Sequence, residues 1–258
     1  MDTDLFGNPV DGPAAPTPGG SLSTAGHVDT PLAVRMRPRT VDEIVGQDHL
    51  LGPGSPLRRL AEGRTAMSVF LWGPPGVGKT TIAAVVSASG QRRFVELSAV
   101  TAGVKEVRAA LAEAQRELVR GVGTVLFVDE VHRFNKAQQD VLLPAVENRL
   151  ITLIAATTEN PSFSVISPLL SRSLLLTLKP LTDADIGVLL DRALTDERGL
   201  GGEYELTDEA RSALLRFAGG DARRALTYLE EAAAGAAAQG GTEIDTDIVS
   251  AAVDKAAV

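Results

Sequence analysis

The sequence predicts an α/β fold, in which a parallel five-stranded sheet is flanked by helices and followed by a small all-helical domain. From residue 68 onward, strand-length apolar runs alternate with helical patterns, and this alternation favours right-handed crossovers and a parallel sheet. A glycine-rich loop stands between the first of these strands and the helix that follows it. After Pro180 the strand-like runs stop and only helical patterns continue.

Composition limits the class of protein. The chain has 258 residues, of which 44% are hydrophobic and 22% charged, as in an ordinary globular protein. It has no cysteine, which excludes disulfides and thiolate chemistry, and no apolar run reaches the roughly 18 residues of a membrane helix. The N-terminus lacks the basic start and apolar stretch of a signal peptide, so we expect a cytoplasmic protein. The net charge of −8 argues against coating nucleic acid by bulk charge but allows a local basic surface.

The chain divides into three predicted segments. Residues 1–31 are rich in glycine, proline, serine and threonine, and we expect a disordered tail. Within this tail, the apolar pair of DTDLFG is either inert or a short ligand for a partner. Residues 32–180 form the predicted α/β domain, and residues 181–258 form the predicted helical lid.

The five predicted strands are rich in valine, isoleucine, leucine and phenylalanine, as expected for strands buried on both faces. They read SVFLWG, RFVELS, GTVLFVDE, ITLIAATT and SLLLTL. Helices are predicted between them at 79–89, 103–119 and 136–148, with a short one at 165–171. Trp72, in the first strand, is interpreted as a core residue rather than a base-stacking one.

The lid segment has helical apolar spacing throughout. A capping box of Thr182 and Asp185 opens its first helix. Apolar residues then recur at i, i+3, i+4, i+7 and i+8, which is typical of an amphipathic helix. The same pattern predicts helices around 210–217 and 222–233, and a last helix is predicted at 246–256.

The run GPPGVGKTT, residues 73–81, follows a strand and opens a helix, which is the context of a phosphate-binding loop. Its glycines let backbone N–H groups turn towards phosphate oxygens, and the helix N-terminus adds a favourable dipole. Lys79 is expected to reach the β- and γ-phosphates, and Thr80 to offer its hydroxyl to Mg²⁺. The predicted nucleotide-binding residues of the loop are Gly73, Pro74, Pro75, Gly76, Val77, Gly78, Lys79, Thr80 and Thr81.

Two acids end the apolar run VLFVDE, residues 125–130. Side chains at the carboxyl end of a parallel strand point into the crevice where α/β sheets bind ligands. Asp129 suits the Mg²⁺ shell, and Glu130 is the candidate that polarises an attacking water. The alternative for either acid is that it caps the strand. With the phosphate loop, the pair predicts hydrolysis of a nucleoside triphosphate rather than binding alone.

The order of motifs along the chain is similar to that of the AAA+ ATPases. The runs are PLAVRMRPRTVDEIVGQDHLLG, GPPGVGKT, VDEVHRFNKAQQD, AATTENPSF, LLSRS and GDARRAL. Over residues 31–256 they resemble above all the replication-associated recombination protein A family (RarA, also called MgsA), relatives of clamp loaders and of the Holliday-junction motor RuvB. The resemblance implies an AAA+ P-loop NTPase fold with a helical lid, Mg²⁺-dependent ATP hydrolysis, and action on DNA at stalled replication forks. A clamp-loader-like ATP-binding switch and a RuvB-like branch-migration motor are the alternatives.

The same resemblance gives roles to residues outside the phosphate loop. Arg37, Pro38 and Val45 belong to a segment that packs on the adenine, although simple core packing explains an R-P turn equally well. Arg223, in GDARRAL, matches an arginine that reaches from the lid to the γ-phosphate of its own subunit. The alternative for Arg223 is a solvated helix position.

Two further catalytic roles follow from the resemblance. Thr157, which ends the run ITLIAAT, matches a sensor that orients the water or the γ-phosphate, with Thr158 and Asn160 as further candidates. Arg172, in the triplet S-R-S, matches an arginine that enters the ATP site of a neighbouring subunit in trans. The alternative for Arg172 is an ordinary salt bridge within its own chain.

The resemblance also implies partners. DNA with single-stranded ends, forks or junctions is the expected substrate, and Lys105 and Arg108, three apart on a predicted helix, are candidates to contact its phosphates unless they are merely solvated. Family members assemble as tetramers through a C-terminal domain beyond the lid, which this chain is expected to lack. The resemblance further implies that copies of the chain associate through Arg172 and that the protein is associated with the nucleoid. Single-strand-binding protein or a sliding clamp are the expected protein partners.

Overall fold

The computed structural model of the chain describes residues 30–256, so the predicted DTDLFG ligand lies outside the described residues. Of the predicted tail, only Thr30 and Pro31 are described. The carbonyl of Pro31 accepts hydrogen bonds from the N–H groups of Val34 and Arg35, so the first helix begins at the predicted boundary.

The predicted α/β fold is confirmed, with five parallel strands in one sheet. The strands are β1 (Ser68–Trp72), β2 (Arg93–Ser98), β3 (Thr124–Asp129), β4 (Ile151–Thr157) and β5 (Ser173–Thr177). Their spatial order is β2-β3-β4-β1-β5. The chain leaves β1 for the far edge of the sheet, so the strand order reverses beside β1, where such sheets bind their ligands.

Helices cover both faces of the sheet. They are α1 (Leu32–Arg35), α2 (Asp48–Leu51), α3 (Pro56–Ala61), α4 (Lys79–Ser89), α5 (Val104–Val119), α6 (Lys136–Glu147), α7 (Pro161–Ser164) and α8 (Ser167–Leu170), with 3₁₀ turns at Val41–Glu43 and Val131–Arg133. The short helix predicted at 165–171 corresponds to α8, and α7, which was not predicted, lies directly before it. Helices α1 to α3 were not predicted because four to six residues are too few to show a helical period.

Successive residues of each strand face different helical layers. In β1, Leu71 packs with α2, α3 and α4, whereas Phe70 packs with α5, α6 and α8. Strand β4 is buried along its whole length. Double burial explains the continuous apolar runs of the inner strands β1, β3 and β4, whereas the edge strands β2 and β5 are only partly buried, contrary to the prediction.

The lid contains four helices, α9 (Asp183–Thr195), α10 (Asp208–Ala218), α11 (Ala222–Ala238) and α12 (Thr246–Ala256). The predicted capping box is present, because Asp185 N–H donates to Thr182 Oγ1 and Thr182 N–H donates to the Asp185 carboxylate. One detail differs from an all-helical lid: β6 (Glu205–Leu206) and β7 (Glu243–Ile244) form a two-residue parallel pair, too short to give a strand pattern. Among residues 30–256, no helix has the length and apolar character that crossing a membrane requires.

Helix α1 packs on the lid and not on the sheet. Leu32 and Met36 are buried in the lid core, and Leu32 N–H donates to Glu230 Oε1 at 2.8 Å. Arg35 Nη1 donates to the carbonyls of Arg198 and Gly199, each at 2.8 Å. The division after residue 31 and at residue 181 stays a prediction. These contacts show that the first helix of the predicted α/β domain packs as part of the lid.

We expect Leu32→Ala to lower the free energy of unfolding by about 2–5 kcal/mol, because the side chain is fully buried and its removal leaves a cavity in the lid core. Urea denaturation followed by circular dichroism measures the change. Val34→Ala is the matched control on the same helix, since Val34 is only partly buried. Equal losses in the two variants would contradict the packing of α1 on the lid.

Candidate active site

A cleft lies between the carboxyl edge of the sheet and the lid, and we call it the sheet–lid cleft. It is lined by three parts of the α/β domain and by two segments of the lid. The predicted residues that line it are Arg37, Pro38, Val45, Pro75, Gly76, Val77, Gly78, Lys79, Thr80, Thr81, Asp129, Glu130 and Arg223. Most of the predicted nucleotide and metal ligands are therefore brought together.

The loop between β1 and α4 has the backbone geometry of a phosphate cradle. Gly76 and Gly78 have φ values of 75° and 89°, a region that residues with a Cβ rarely adopt. The N-terminus of α4 follows at once, so unpaired N–H groups and the helix dipole face the cleft. Gly73 and Pro74 do not line the cleft; their carbonyls accept hydrogen bonds from Lys79 Nζ at 2.9 and 2.7 Å.

Lys79 is a buried cation at the base of the cleft, with only 8% of its surface exposed. Burial lowers the pKa of its ammonium group, whereas the carboxylates of Glu130, Asp129 and Asp221 raise it. Three nearby acids thus help to keep Lys79 charged. An ammonium held by two backbone carbonyls can exchange them for phosphate oxygens, which form stronger charge-assisted hydrogen bonds.

The backbone makes an unusual turn at the two acids that end β3. Glu130 has φ 53°, in the left-handed region, which costs about 1–3 kcal/mol for a residue other than glycine. Its N–H donates to Asp129 Oδ1 at 3.0 Å. The turn lets consecutive residues both line the cleft, which a regular strand would prevent because successive side chains point to opposite faces.

An imidazole joins two of the predicted catalytic residues. His132 is almost fully buried, and its Nδ1 lies 3.2 Å from Glu130 Oε2 and 3.1 Å from Thr157 Oγ1. Thr157 donates its single hydroxyl proton to the Glu159 carbonyl, so its oxygen accepts from His132. Because the Glu130 carboxylate is also an acceptor, Nδ1 of His132 carries a proton.

His132 was not predicted as a site residue. It belongs to the run HRFNK, which was used only as a family signature. His132 lies in the 3₁₀ turn Val131–Arg133 after β3 and contacts Thr157 at the end of β4. No spacing in the sequence shows that these two residues are close in space. A histidine two residues after a catalytic acid was the one available signal.

The three sensor candidates, Thr157, Thr158 and Asn160, lie in different surroundings. Thr157 is fully buried at the end of β4, behind the cleft lining. Thr158 Oγ1 lies 3.5 Å from Glu130 Oε2. Asn160 Oδ1 accepts from Ser162 N–H and caps α7, so it has a local structural role.

The segment predicted to hold the adenine lies at the apolar end of the cleft. Arg37, Pro38 and Val45 line the cleft there, and both core packing and base packing remain compatible with this position. Burial lowers the pKa of the Arg37 guanidinium, nearby Arg223 lowers it further, and Glu96 raises it. The apolar residues that complete this wall are Ala33, Met36, Ile44, Leu181, Leu189 and Leu226.

The lid touches the phosphate loop at the start of α11. Ala222 N–H donates to the Gly76 carbonyl at 3.2 Å, and a Cβ added at Gly76 would collide with the Asp221 carboxyl group. Asp221 also caps α11 by accepting from Arg224 N–H. The position of Asp221 before a helix indicates a cap, but its contact with the loop was not predictable. Arg223 projects from the same turn as an exposed residue of the cleft.

Arg172 lies at the opposite edge of the sheet, directly before β5. Its Nη2 is 2.7 Å from Glu147 Oε1, and its Nη1 donates to the Pro168 carbonyl at 2.9 Å. Within the single chain, Arg172 therefore forms the intrachain salt bridge that was the alternative interpretation. The side chain is 43% exposed and cannot reach its own cleft at the carboxyl edge. Any contact of Arg172 with a nucleotide must be with that of another copy.

The candidate DNA contacts and the candidate metal ligands lie in different places. Lys105 and Arg108 are exposed on α5, outside the sheet–lid cleft. The candidate metal ligands Thr80 and Asp129 both line the cleft. Within residues 30–256, no three His, Asp or Glu side chains form a metal-binding group. One hydroxyl and one carboxylate suit Mg²⁺, which is usually held by few protein ligands together with substrate phosphates and water.

Two family models match this chain. The ATPase family associated with various cellular activities (AAA) matches residues 69–179, and the AAA C-terminal domain matches residues 200–258. The first match covers the sheet with the phosphate loop and both acids. The second covers most of the lid.

Known proteins are similar over most of the chain. An uncharacterized AAA domain-containing protein of Mycobacterium tuberculosis is 57% identical over 240 residues, 91% of this chain and 53% of the relative. Replication-associated recombination protein A of Escherichia coli is 49% identical over 212 residues, 81% of this chain and 47% of the relative. The chain thus spans about half the length of these relatives. The Thermotoga maritima RuvB Holliday junction branch migration motor has a similar structure, with TM-score 0.69, 28% identity, and coverage of 85% of this chain and 72% of that chain.

We expect His132→Ala to lower the maximal rate of ATP hydrolysis on the order of 10²-fold, because Glu130 and Thr157 lose the group that fixes their geometry. Nucleotide affinity should change little, since His132 does not line the cleft. Steady-state kinetics with a separate nucleotide-binding titration distinguishes the two effects.

The matched control is His49→Ala, because His49 contacts only the Thr177 carbonyl on the surface. His132→Asn should recover part of the rate, since an amide N–H can replace Nδ1–H. A rate loss of the same size in His49→Ala, or none in His132→Ala, would contradict the positioning role.

Proposed function

Because the chain belongs to the AAA family of ATPases, in the branch of replication-associated recombination protein A, we propose that it hydrolyses ATP with Mg²⁺ and uses the reaction to remodel DNA, or proteins bound to it, at stalled replication forks. The observation that carries the proposal is the convergence of Lys79, Asp129, Glu130 and Arg223 on one cleft. A buried cation, two acids and a lid arginine form a set suited to hydrolysis.

Binding of the triphosphate falls to the loop between β1 and α4. Its N–H groups and the Lys79 ammonium supply donors for the phosphate oxygens, and the apolar wall with Arg37, Pro38 and Val45 receives the base. Thr80 and Asp129 would hold Mg²⁺, which neutralises charge on the phosphates when bound. These residues position the substrate, and positioning with electrostatic stabilisation provides most of catalysis in phosphoryl transfer.

Glu130 orients the attacking water. Its carboxylate faces the cleft and is held by the Nδ1–H of His132, which also binds Thr157. His132 therefore fixes the position of the Glu130 carboxylate relative to the Thr157 hydroxyl. A water that donates to the Glu130 carboxylate would attack the γ-phosphorus while the bond to the β,γ-bridging oxygen breaks and ADP leaves, and Glu130 would take up the proton of the water.

The lid links nucleotide state to conformation. Phosphates that enter beside Gly76 bring negative charge towards the Asp221 carboxylate and towards the Arg223 guanidinium. The first interaction repels the start of α11 and the second attracts it, so the lid changes position when the γ-phosphate arrives or leaves. This motion is what would change the grip on DNA, with exposed Lys105 and Arg108 as candidate phosphate contacts.

Arg172 acts in trans in this proposal. It stands at the amino edge of the sheet, whereas the sheet–lid cleft lies at the carboxyl edge, so a head-to-tail neighbour would bring the two together. A trans arginine stabilises charge that develops on the transferred phosphoryl group. Three further parts of the proposal rest on the family resemblance. They are a nucleoid-associated location, assembly as a tetramer, and single-strand-binding protein or a sliding clamp as a partner.

A branch-migration motor is a second candidate, favoured by the structural similarity to the Thermotoga maritima RuvB Holliday junction branch migration motor. The two functions share the same ATP chemistry. Strand exchange on a synthetic four-way junction distinguishes them: ATP-dependent resolution of the junction into duplexes supports the motor. Stimulation of ATP hydrolysis by forked DNA without junction movement supports fork remodelling.

We expect Glu130→Gln to keep nucleotide binding while lowering ATP hydrolysis at least about 10²-fold, because the amide holds the geometry but cannot accept the proton. Fluorescent-nucleotide binding and phosphate release measure the two properties. Glu159→Gln is the matched control, since Glu159 is largely exposed and only approaches His132 at 3.7 Å. Undiminished hydrolysis in Glu130→Gln would contradict the assignment.

We expect ATP turnover per subunit to rise with protein concentration and with forked DNA that carries a single-stranded end, and to fall about 10³-fold or more in Arg172→Ala. Phosphate release over a range of protein concentrations measures this. Glu147→Gln removes the intrachain partner but keeps Arg172, so it should retain turnover. Flat turnover that Arg172→Ala leaves unchanged would overturn the trans role.

A further inference from the structure

A second cleft opens at the amino edge of the sheet, and we call it the arginine cleft. It is formed by the segment before β1, the residue before β2, the end of α6 and the residue before β5. Its lining residues are Gly63, Arg64, Thr65, Ala66, Met67, Ser68, Arg92, Val146, Glu147, Arg149 and Arg172. The lining thus contains four arginines and one glutamate, in a chain whose net charge is −8.

The four guanidinium groups are not equivalent. Arg172 is paired with Glu147, and Arg64 is paired with Glu62. Arg92 donates to the Thr65 carbonyl at 2.7 Å, and its burial lowers the pKa of the guanidinium, so it is a wall of the cleft. Arg149 forms no salt bridge with a carboxylate of residues 30–256.

Arg149 also has a backbone conformation that disfavours its own side chain. It follows the last turn of α6 with φ 53°, and Leu150 N–H donates back to the Ala145 carbonyl at 2.9 Å. This is the helix ending at which glycine is preferred, because a Cβ is strained in the left-handed region. Arg149 thus lines the arginine cleft from a strained backbone position and without a carboxylate partner among residues 30–256.

We propose that Arg149 is a second trans guanidinium, which joins Arg172 in binding the nucleotide phosphates presented by a second copy of this chain. The inference rests on the proposed trans role of Arg172 and deepens it. Both arginines line the same cleft, and both lie at the amino edge of the sheet.

A second copy is the occupant that the geometry favours. The phosphate loop and the arginine cleft lie at opposite edges of one parallel sheet, so head-to-tail contact places the nucleotide phosphates bound by one copy against the arginine cleft of the next. Nucleotide phosphates match the forked donor geometry of arginine. When they arrive, Arg172 exchanges Glu147 for phosphate oxygens, whereas Arg149 has no carboxylate partner to release among the residues that the structure describes.

The test uses Arg149→Gly, which removes the guanidinium and at the same time relieves the backbone. The thermal midpoint should therefore stay the same or rise. The protein concentration that gives half-maximal ATP turnover per subunit should increase about tenfold, as expected from the loss of one charge-assisted hydrogen bond.

The matched control is Gln91→Gly. Gln91 has φ 52° just after α4 and does not line the arginine cleft, so this variant relieves the same strain without removing a charge. It should show the wild-type dependence of turnover on concentration. An equal shift in Gln91→Gly would mean that the backbone change, and not the guanidinium, is responsible, and would overturn the proposal.

The remaining outcomes separate this inference from the proposed function. If wild-type turnover rises with concentration and Arg172→Ala abolishes the rise, but Arg149→Gly behaves as wild type, the role of Arg149 is wrong and that of Arg172 stands. If wild-type turnover is flat and Arg172→Ala has no effect, both fail.

DNA is the other polyanion that could enter the cleft. It is tested by fluorescence anisotropy with a labelled single strand in the absence of nucleotide. If Arg149→Gly weakens DNA binding and leaves the concentration dependence of turnover unchanged, the cleft binds DNA and the proposal is overturned. Unchanged DNA affinity with a shifted concentration dependence supports it.

Discussion

The parallel sheet has two chemically different edges, and the placement of the functional side chains depends on this constraint. At the carboxyl edge, strands end in the phosphate loop, Asp129 and Thr157; at the amino edge, turns present Arg149 and Arg172. A parallel sheet cannot bring these edges together within one chain, because every strand separates them by its full length. In the proposed function, hydrolysis uses side chains from both edges and therefore needs two copies of the chain.

The lid contacts the rest of the chain at both ends of the sheet–lid cleft. Ala222 N–H bonds to Gly76 in the phosphate loop, and Asp221 packs against the same glycine. At the other side, α1 is embedded in the lid core through Leu32 and leads straight into the segment that lines the cleft. The lid thus meets the cleft at the phosphate end and at the apolar end. In the proposed function, a change of charge at the phosphate end would move the lid about its contacts at the apolar end.

Sequence reasoning worked where a role is encoded by contiguous residues and failed where it depends on the path of the chain. The phosphate loop and Asp129 are fixed by local spacing, and the strands by their apolar runs. The role of His132 depends on a left-handed residue at 130 and on a contact between neighbouring strands. Asp221 was not predicted as a site residue, because its approach to the phosphate loop is a long-range contact. The left-handed backbone of Arg149 is equally invisible in a sequence, since arginine does not signal that geometry.

The salt bridge between Arg172 and Glu147 is compatible with a trans role because it is weak. Both side chains are about 40% exposed, at 43% and 39%, and pairs of this kind contribute about 0–1 kcal/mol to stability. A phosphate group carries more charge than one carboxylate and offers several acceptor oxygens, so it competes well for the guanidinium. Glu147 meanwhile keeps Arg172 extended along the amino edge, next to the Pro168 carbonyl, in the place where a neighbour would meet it. In the proposed function, the intrachain pair is the resting state of Arg172, and the phosphates that replace Glu147 belong to another copy of the chain.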